Sequence, residues 1–182
     1  VNAFLVTHIA GAVAGIVWCV LDWIKFGKPT TLGMITGAVA GLAAVTPGSG
    51  FIALNGAIWI GLGSGVICWI AVTAFKAKYG YDDSLDAFGV HGIGGIWGTI
   101  AAGIWATKAA NPNGVDGLLY GNPAQLLIQL KAVGIVAAYA FVASLILFKL
   151  VDLVINLRVT EQEERVGLDL TQHREAGYTI ID

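Results

Sequence analysis

One imidazole, His91, sits in Asp86-Ala87-Phe88-Gly89-Val90-His91-Gly92-Ile93-Gly94-Gly95-Ile96-Trp97-Gly98, an otherwise apolar run studded with glycine. An ionisable side chain at membrane depth is costly unless it meets a cavity or a partner, so its position points to function. Desolvation favours the neutral ring, which has one donor and one acceptor nitrogen. Such a ring suits a small polar molecule stripped of water, whereas an isolated cation is held in the same place at far greater cost. The competing reading is a structural histidine bonded to a neighbouring helix. Helical spacing places Ala87 and Phe88 one turn before His91, and Gly94 and Gly95 one turn after, all on the same face.

Just upstream lies Tyr81-Asp82-Asp83-Ser84-Leu85-Asp86. The spacing makes Asp83 an N-cap and puts Asp86 at the third helical position, close to a capping box and well placed for the helix dipole. Attraction of a cation towards the helix is a second role, compatible with the first. Elsewhere the chemistry thins out. His8 falls near the end of an apolar run, where a structural partner suffices, and His173 lies in a polar tail. Cys19 and Cys68 stand in apolar runs far from any Cys/His cluster, so they read as small buried hydrophobes, and neither a disulfide nor a metal site is expected. No nucleophile, acid–base pair or cofactor motif suggests catalysis, and nothing suggests nucleic acid as a partner.

The elements that must carry these residues are apolar helices. Of 182 residues, 57% are hydrophobic and 12% charged, with 25 glycines and six tryptophans, and the mean hydropathy is +0.77. These values exclude an ordinary soluble domain. Five stretches approach the roughly 20 residues needed to span a bilayer: about 3–24, 31–54, 56–76, 85–107 and 124–156. Helices are the form that satisfies every backbone group in hydrocarbon without a closed barrel. Thr46-Pro47-Gly48-Ser49-Gly50 interrupts the second near its end, and Asn111-Pro112-Asn113-Gly114 and Gly121-Asn122-Pro123 bracket a polar loop. Small residues four apart recur at Gly11/Gly15, Gly33/Gly37/Gly41, Gly61/Gly65 and Gly94/Gly98, which permits close helix contacts.

Basic residues set the expected orientation. Lys25, Lys28, Lys76, Lys78, Lys149 and Arg158 flank the spans on one side, against Lys108 and Lys131 on the other. Residues 1–156 are therefore expected to form the membrane body and 157–182 a cytoplasmic tail. That tail is acidic, with Arg158, Arg165 and Arg174 against Glu161, Glu163, Glu164, Asp169, Glu175 and Asp182. Its spaced Val159, Val166, Leu168 and Leu170 suggest docking on a surface.

The Asp86–Gly98 run, the segments Thr36-Gly37-Ala38-Val39-Ala40-Gly41 and Val45-Thr46-Pro47-Gly48-Ser49-Gly50, and the Arg158–Asp169 tail closely resemble the ammonium transporter (Amt/MEP/Rh) family, specifically its Amt branch. The resemblance covers essentially the whole chain. It implies an all-α polytopic bundle, part of an eleven-helix fold with inverted repeats, in homotrimers whose subunits each have a narrow hydrophobic pore. The five helices look like the seventh to eleventh. The family's first six, carrying the first pore histidine and the outer recruitment site, have no counterpart here, so the chain is expected not to enclose the pore alone: it is either a fragment, the favoured expectation, or completed by a separate chain.

By this resemblance His91 falls on the second of two adjacent pore histidines. Val39 and Ala87 fall on apolar pore-lining positions, completing with Phe88 the expected pore set, and Asp83 on the acidic cap. The tail looks like the segment that couples subunits and meets a PII-type signalling protein. Its expected regulatory residues are Arg158, Glu161, Glu164, Arg165, Gly167, Asp169, Thr171 and Tyr178, with Thr171 matching a threonine that some plant members phosphorylate. The implied activity is non-enzymatic passage of ammonium/ammonia through a multi-pass protein of the cell membrane. The alternative is an ammonium sensor that signals through its tail, and a third class is a non-transporting membrane module.

Overall fold

The computed structural model describes residues 1–177, and these form helices and connecting turns, with a single antiparallel bridge between Ile52 and Ala106. The chain divides into two compact units, Val1–Ile135 and Val136–Asp182.

In the first unit, α1 runs Asn2–Phe26 and ends on Gly27, whose φ of 77° is the left-handed conformation that glycine adopts freely. Helix α2, Thr31–Val45, starts at the Thr30 cap, whose hydroxyl accepts from the Gly33 amide at 2.9 Å. Helix α3, Leu54–Tyr79, contains a π-helical turn at Ala71–Phe75. Helix α4, Ile93–Trp105, is entered through a second π-helical turn at Phe88–Gly92. Helix α5, Pro123–Asp152, passes from the first unit into the second and has no buried residue. By length and composition α1, α3 and α5 are able to cross a membrane.

Two boundaries differ most from those the sequence suggests. The second apolar stretch leaves the helix at Val45 rather than continuing to 54, because the Gly48 amide turns back to the Val45 carbonyl at 2.9 Å and those of Phe51 and Ile52 to Gly48. At 15 residues α2 is about 22 Å long, short of a hydrocarbon core of about 30 Å. The last helix stops at Asp152 instead of 156. There the Asp152 carboxylate accepts from the Leu157 amide at 3.2 Å, closing the end.

Helices α1, α2 and α3 converge on the Ala10 carbonyl. A Cβ on Gly41 of α2 would collide with that oxygen, and one on Gly61 of α3 would lie 2.7 Å from it. Missing side chains thus let two helices reach the α1 backbone, the contact expected where dispersion rather than water expulsion drives association. Gly98 brings α4 closer still to the Ala44 carbonyl. Around these contacts lie two apolar clusters. One joins Val6, Ala10, Ala44, Val45, Ile52, Ala57, Ile60 and Ala101. The other joins Trp18, Ala40, Cys68 and Val90, with Val39, Trp69 and Val72 packed against it.

In the second unit, past the end of α5, a short helix α6, Glu161–Val166, is followed by a π-helical turn at Asp169–His173.

Candidate functional site

The His91 turn is assembled from both sides of the loop between α3 and α4. The chain stays non-helical through Asp86, which is therefore not the third helical residue that the spacing suggests. Asp86 instead adopts φ 55°, a conformation costing a non-glycine residue roughly 1–2 kcal/mol. Its carboxylate turns away from the helix to pair with the Lys76 ammonium at 2.7 Å, while its carbonyl accepts from the Val90 amide at 2.9 Å. Asp83 reaches the first turn from further back: its Oδ2 accepts from the Phe88 and Gly89 amides at 3.1 and 3.3 Å. A carboxylate on the unsatisfied amides of a helix start is the favourable arrangement for the helix dipole.

The π-helical turn changes which residues share a face. An extra residue in the turn rotates the register, so Gly89 and Val90 are buried while Ala87, Phe88 and His91 are exposed. Gly94, expected on the face of His91, is buried instead, with Cys68 Sγ and the Ala40 carbonyl beside it. Gly95 is open: a Cβ there would meet nothing within 4 Å. Among the described residues His91 lies on an exposed face, and no hydrogen bond or ion pair holds its ring. The structural reading, a histidine bonded to a neighbouring helix, therefore finds no support among the described residues.

Against this turn Phe88 is half exposed and meets the Tyr81 ring edge-on at 6.0 Å, and Tyr81 in turn meets Phe75 of α3 at 6.5 Å. The Tyr81 hydroxyl is buried without a hydrogen-bond partner. Val39 is partly buried on the cluster that includes Val90. It also lines an apolar groove of about 530 Å³ between α1 and α2, with Gly15, Cys19 and Ala38. His8 is exposed and stacks on Phe4 at 6.5 Å.

Asp22 carries a polar cluster that the sequence does not single out. The residue is 4% exposed, and its carboxylate accepts from Trp69 Nε1 at 2.8 Å and from the Thr30 hydroxyl at 3.3 Å. Lys25 Nζ lies 4.9 Å from the centre of a Trp69 ring.

In the tail, Thr160 and Glu163 form a capping box around α6. Arg158 grips Glu164 through two nitrogens, at 2.8 and 3.2 Å, and Arg165 pairs with Glu161 one turn away. Gly167 has φ 108°, and its carbonyl accepts from the Thr171 hydroxyl at 2.9 Å. Asp169 Oδ2 accepts from the Gly177 amide at 2.8 Å. That amide, then the Leu170 amide, holds the Asp169 carboxyl below its usual range, and the Thr160 amide and hydroxyl do the same for Glu163. Val166, Leu168 and Leu170 are about half exposed. Tyr178 lies outside the described residues.

The model of the Ammonium Transporter Family matches residues 1–178. The chain belongs to the ammonium transporter family. It is similar to the ammonium transporter Amt1 of Archaeoglobus fulgidus, 54% identical over 179 residues, covering 98% of this chain and 45% of that protein. The ammonium transporter of Bacillus subtilis is 45% identical over 176 residues, covering 97% of this chain and 44% of the relative. The fold matches the crystal structure of Saccharomyces cerevisiae Mep2 with a TM-score of 0.83 at 29% identity, over 88% of this chain and 37% of that one. A structure titled Sensor Amt Protein matches with a TM-score of 0.83 at 29% identity, over 94% and 41%. The chain thus spans a little under half the length of the curated relatives it matches. As a member of this family it has the all-helical transporter fold, and its long apolar helices are those of a multi-pass membrane protein.

Within this family chain the structure gathers Asp83, Asp86, Phe88 and His91 at one turn, puts Val39 on the neighbouring apolar cluster, and holds the tail residues in a separate set of contacts. Sequence reasoning missed Lys76, which it counted only as a flanking positive charge. Its signal was a lysine a short loop away from an aspartate in an acid-rich helix start.

Proposed function

We propose that this chain is the C-terminal portion of an Amt-branch ammonium transporter and that His91 presents its imidazole to the path of the conducted species. The observation that carries this reading is an exposed imidazole with no hydrogen-bond partner among the described residues, on a helix start fastened by Asp83. At membrane depth an ionisable ring on an apolar helix has to meet a cavity or a partner. The proposed partners are the conducted molecule and a second histidine contributed by the half of the transporter that this chain does not contain. Ammonium gives up its proton near the pore entrance, neutral ammonia passes along Val39, Ala87 and Phe88 exchanging hydrogen bonds with His91, and the proton crosses separately along the paired histidines, so that transport carries current. Apolar walls favour ammonia over ammonium, because the bare cation cannot be desolvated cheaply. The chain acts in a homotrimer of the cell membrane without enzymatic chemistry or a cofactor. In the full-length protein, His91→Ala is expected to abolish or alter methylammonium uptake and ammonium-induced current. Unchanged uptake and current overturn the assignment.

A second reading, a sensor that signals through its tail, is favoured by the likeness to the Sensor Amt Protein and by the ordered contacts of residues 158–177. In either case the tail is proposed to be cytoplasmic and to present Arg158, Glu161, Glu164, Arg165, Gly167, Asp169, Thr171 and Tyr178 to neighbouring subunits and to a PII-type signalling protein. Removing residues 157–182 separates the readings. A transporter keeps ammonium-dependent current under altered control, whereas a sensor loses its response to ammonium with the tail.

A further inference from the structure

We infer that Lys76 is a positioning residue for His91, acting through the two aspartates that start the His91 helix. The Lys76 ammonium donates to the Asp83 carbonyl at 2.5 Å and to Asp86 Oδ1 at 2.7 Å. Each of those residues in turn holds the first turn of the helix. Asp83 does so through its carboxylate on the Phe88 and Gly89 amides, and Asp86 through its carbonyl on the Val90 amide. One cation therefore fastens both supports of the turn that carries His91.

Asp86 is also the residue whose backbone is least at ease. A left-handed aspartate persists when its surroundings over-determine it: the Asp86 amide donates to the Asp83 carbonyl at 3.1 Å, its carbonyl accepts from the Val90 amide, and its side chain is held by Lys76, both side chains of that pair being mostly shielded from water at 29% and 25% exposure. Lys76 itself directly follows the π-helical turn of α3, and Val72 of that turn packs against Gly89 of the other. The two π-helical turns thus touch at Val72 and Gly89 and are tied at one end by Lys76. Loss of the ammonium frees Asp86 to relax, lets the first turn rewind, and displaces His91 along and around the helix axis.

This inference rests on the proposed pore role of His91 only for its effect on flux. The test uses the full-length protein in proteoliposomes and reads position separately from transport. In a background with other reactive cysteines replaced, His91→Cys is labelled with a methanethiosulfonate reagent. Adding Lys76→Met is expected to change the labelling rate at least threefold, and Lys76→Arg to restore it. With His91 intact, Lys76→Met is expected to lower maximal methylammonium uptake per folded transporter at least fivefold, with Lys76→Arg again recovering most of it. Unchanged labelling overturns the positioning role whatever the flux does. Changed labelling with unchanged flux upholds the positioning role and overturns the pore reading of His91. If Lys76→Met does not fold, Asp86→Asn, which keeps the side-chain shape and weakens the pair, is measured in the same way and carries the same two outcomes.

Discussion

Gly89 packs its bare Cα against the Val72 side chain, so that a Cβ built on Gly89 would fall 2.7 Å from Val72 Cγ2. The contact joins the two π-helical turns, and with Gly89 buried it has little room to give. Gly89→Ala is expected to destabilise the full-length protein by about 1–3 kcal/mol, the usual cost of forcing a methyl into a packed site. Thermal unfolding in detergent checks this. Restoration of stability by Val72→Ala in the same chain would tie the loss to this contact, and a Gly89→Ala protein as stable as the parent refutes it.

The Asp83 carboxylate serves two amides that have no helical acceptor. Replacing a capping carboxylate by alanine costs about 0.5–2 kcal/mol, whereas asparagine retains most of the cap. Asp83→Ala should therefore lower the unfolding temperature, and Asp83→Asn should lie close to the parent. Equal losses in the two variants would show that charge, rather than hydrogen bonding to the amides, is what Asp83 supplies.

Much of this site was legible in the residues. A lone imidazole in a glycine-rich apolar run singles out His91, and an acid just upstream of a helix singles out Asp83. Asp86 departs from the capping pattern because its amide turns back to the Asp83 carbonyl at 3.1 Å while its carboxylate pairs with Lys76 of another helix. Gly94 was put on the wrong face because a π-helical turn leaves no mark in hydrophobic periodicity, so every residue beyond it is rotated from the expected register. The exposure of His91 was illegible for a different reason. A sequence reports the apolar character of a helix face but not which chain covers it. Asp22 escaped notice because its hydrogen-bond partner Trp69 lies 47 residues away.

Asp22 is nearly inaccessible, and its carboxylate depends on Trp69 and Thr30 for hydrogen bonds. Trp69→Phe keeps most of the ring but removes the donor at 2.8 Å. A buried acceptor left unsatisfied costs about 1–3 kcal/mol, and more when it is charged. Trp69→Phe is expected to destabilise by at least that range in a thermal melt. The double variant Trp69→Phe/Asp22→Asn should recover part of the loss, because a neutral amide is cheaper to bury than a carboxylate. Full additivity of the two single losses would mean that the indole and the carboxylate do not act together.

The tail responds to acid in a direction that its hydrogen bonds dictate. Asp169 is held below its usual pKa first by the Gly177 amide and then by that of Leu170, and Glu163 first by the Thr160 amide and then by its hydroxyl. Unfolded carboxylates of these types titrate near ~4. A carboxyl whose folded pKa is depressed adds stability that is fully present above the unfolded value and disappears as pH falls through the folded one. The α6 cap and the Asp169–Gly177 closure should therefore persist unchanged from pH 7 to pH 5, and loosen only below about pH 4. NMR titration of the Asp169 carboxyl and the Gly177 amide in the full-length protein checks both statements. The two signals should move together with a midpoint below that of an unfolded aspartate, and the Gly177 response should vanish in Asp169→Asn. A midpoint above the unfolded value, or a Gly177 amide indifferent to the state of Asp169, would rule out the closure as the source of the shift.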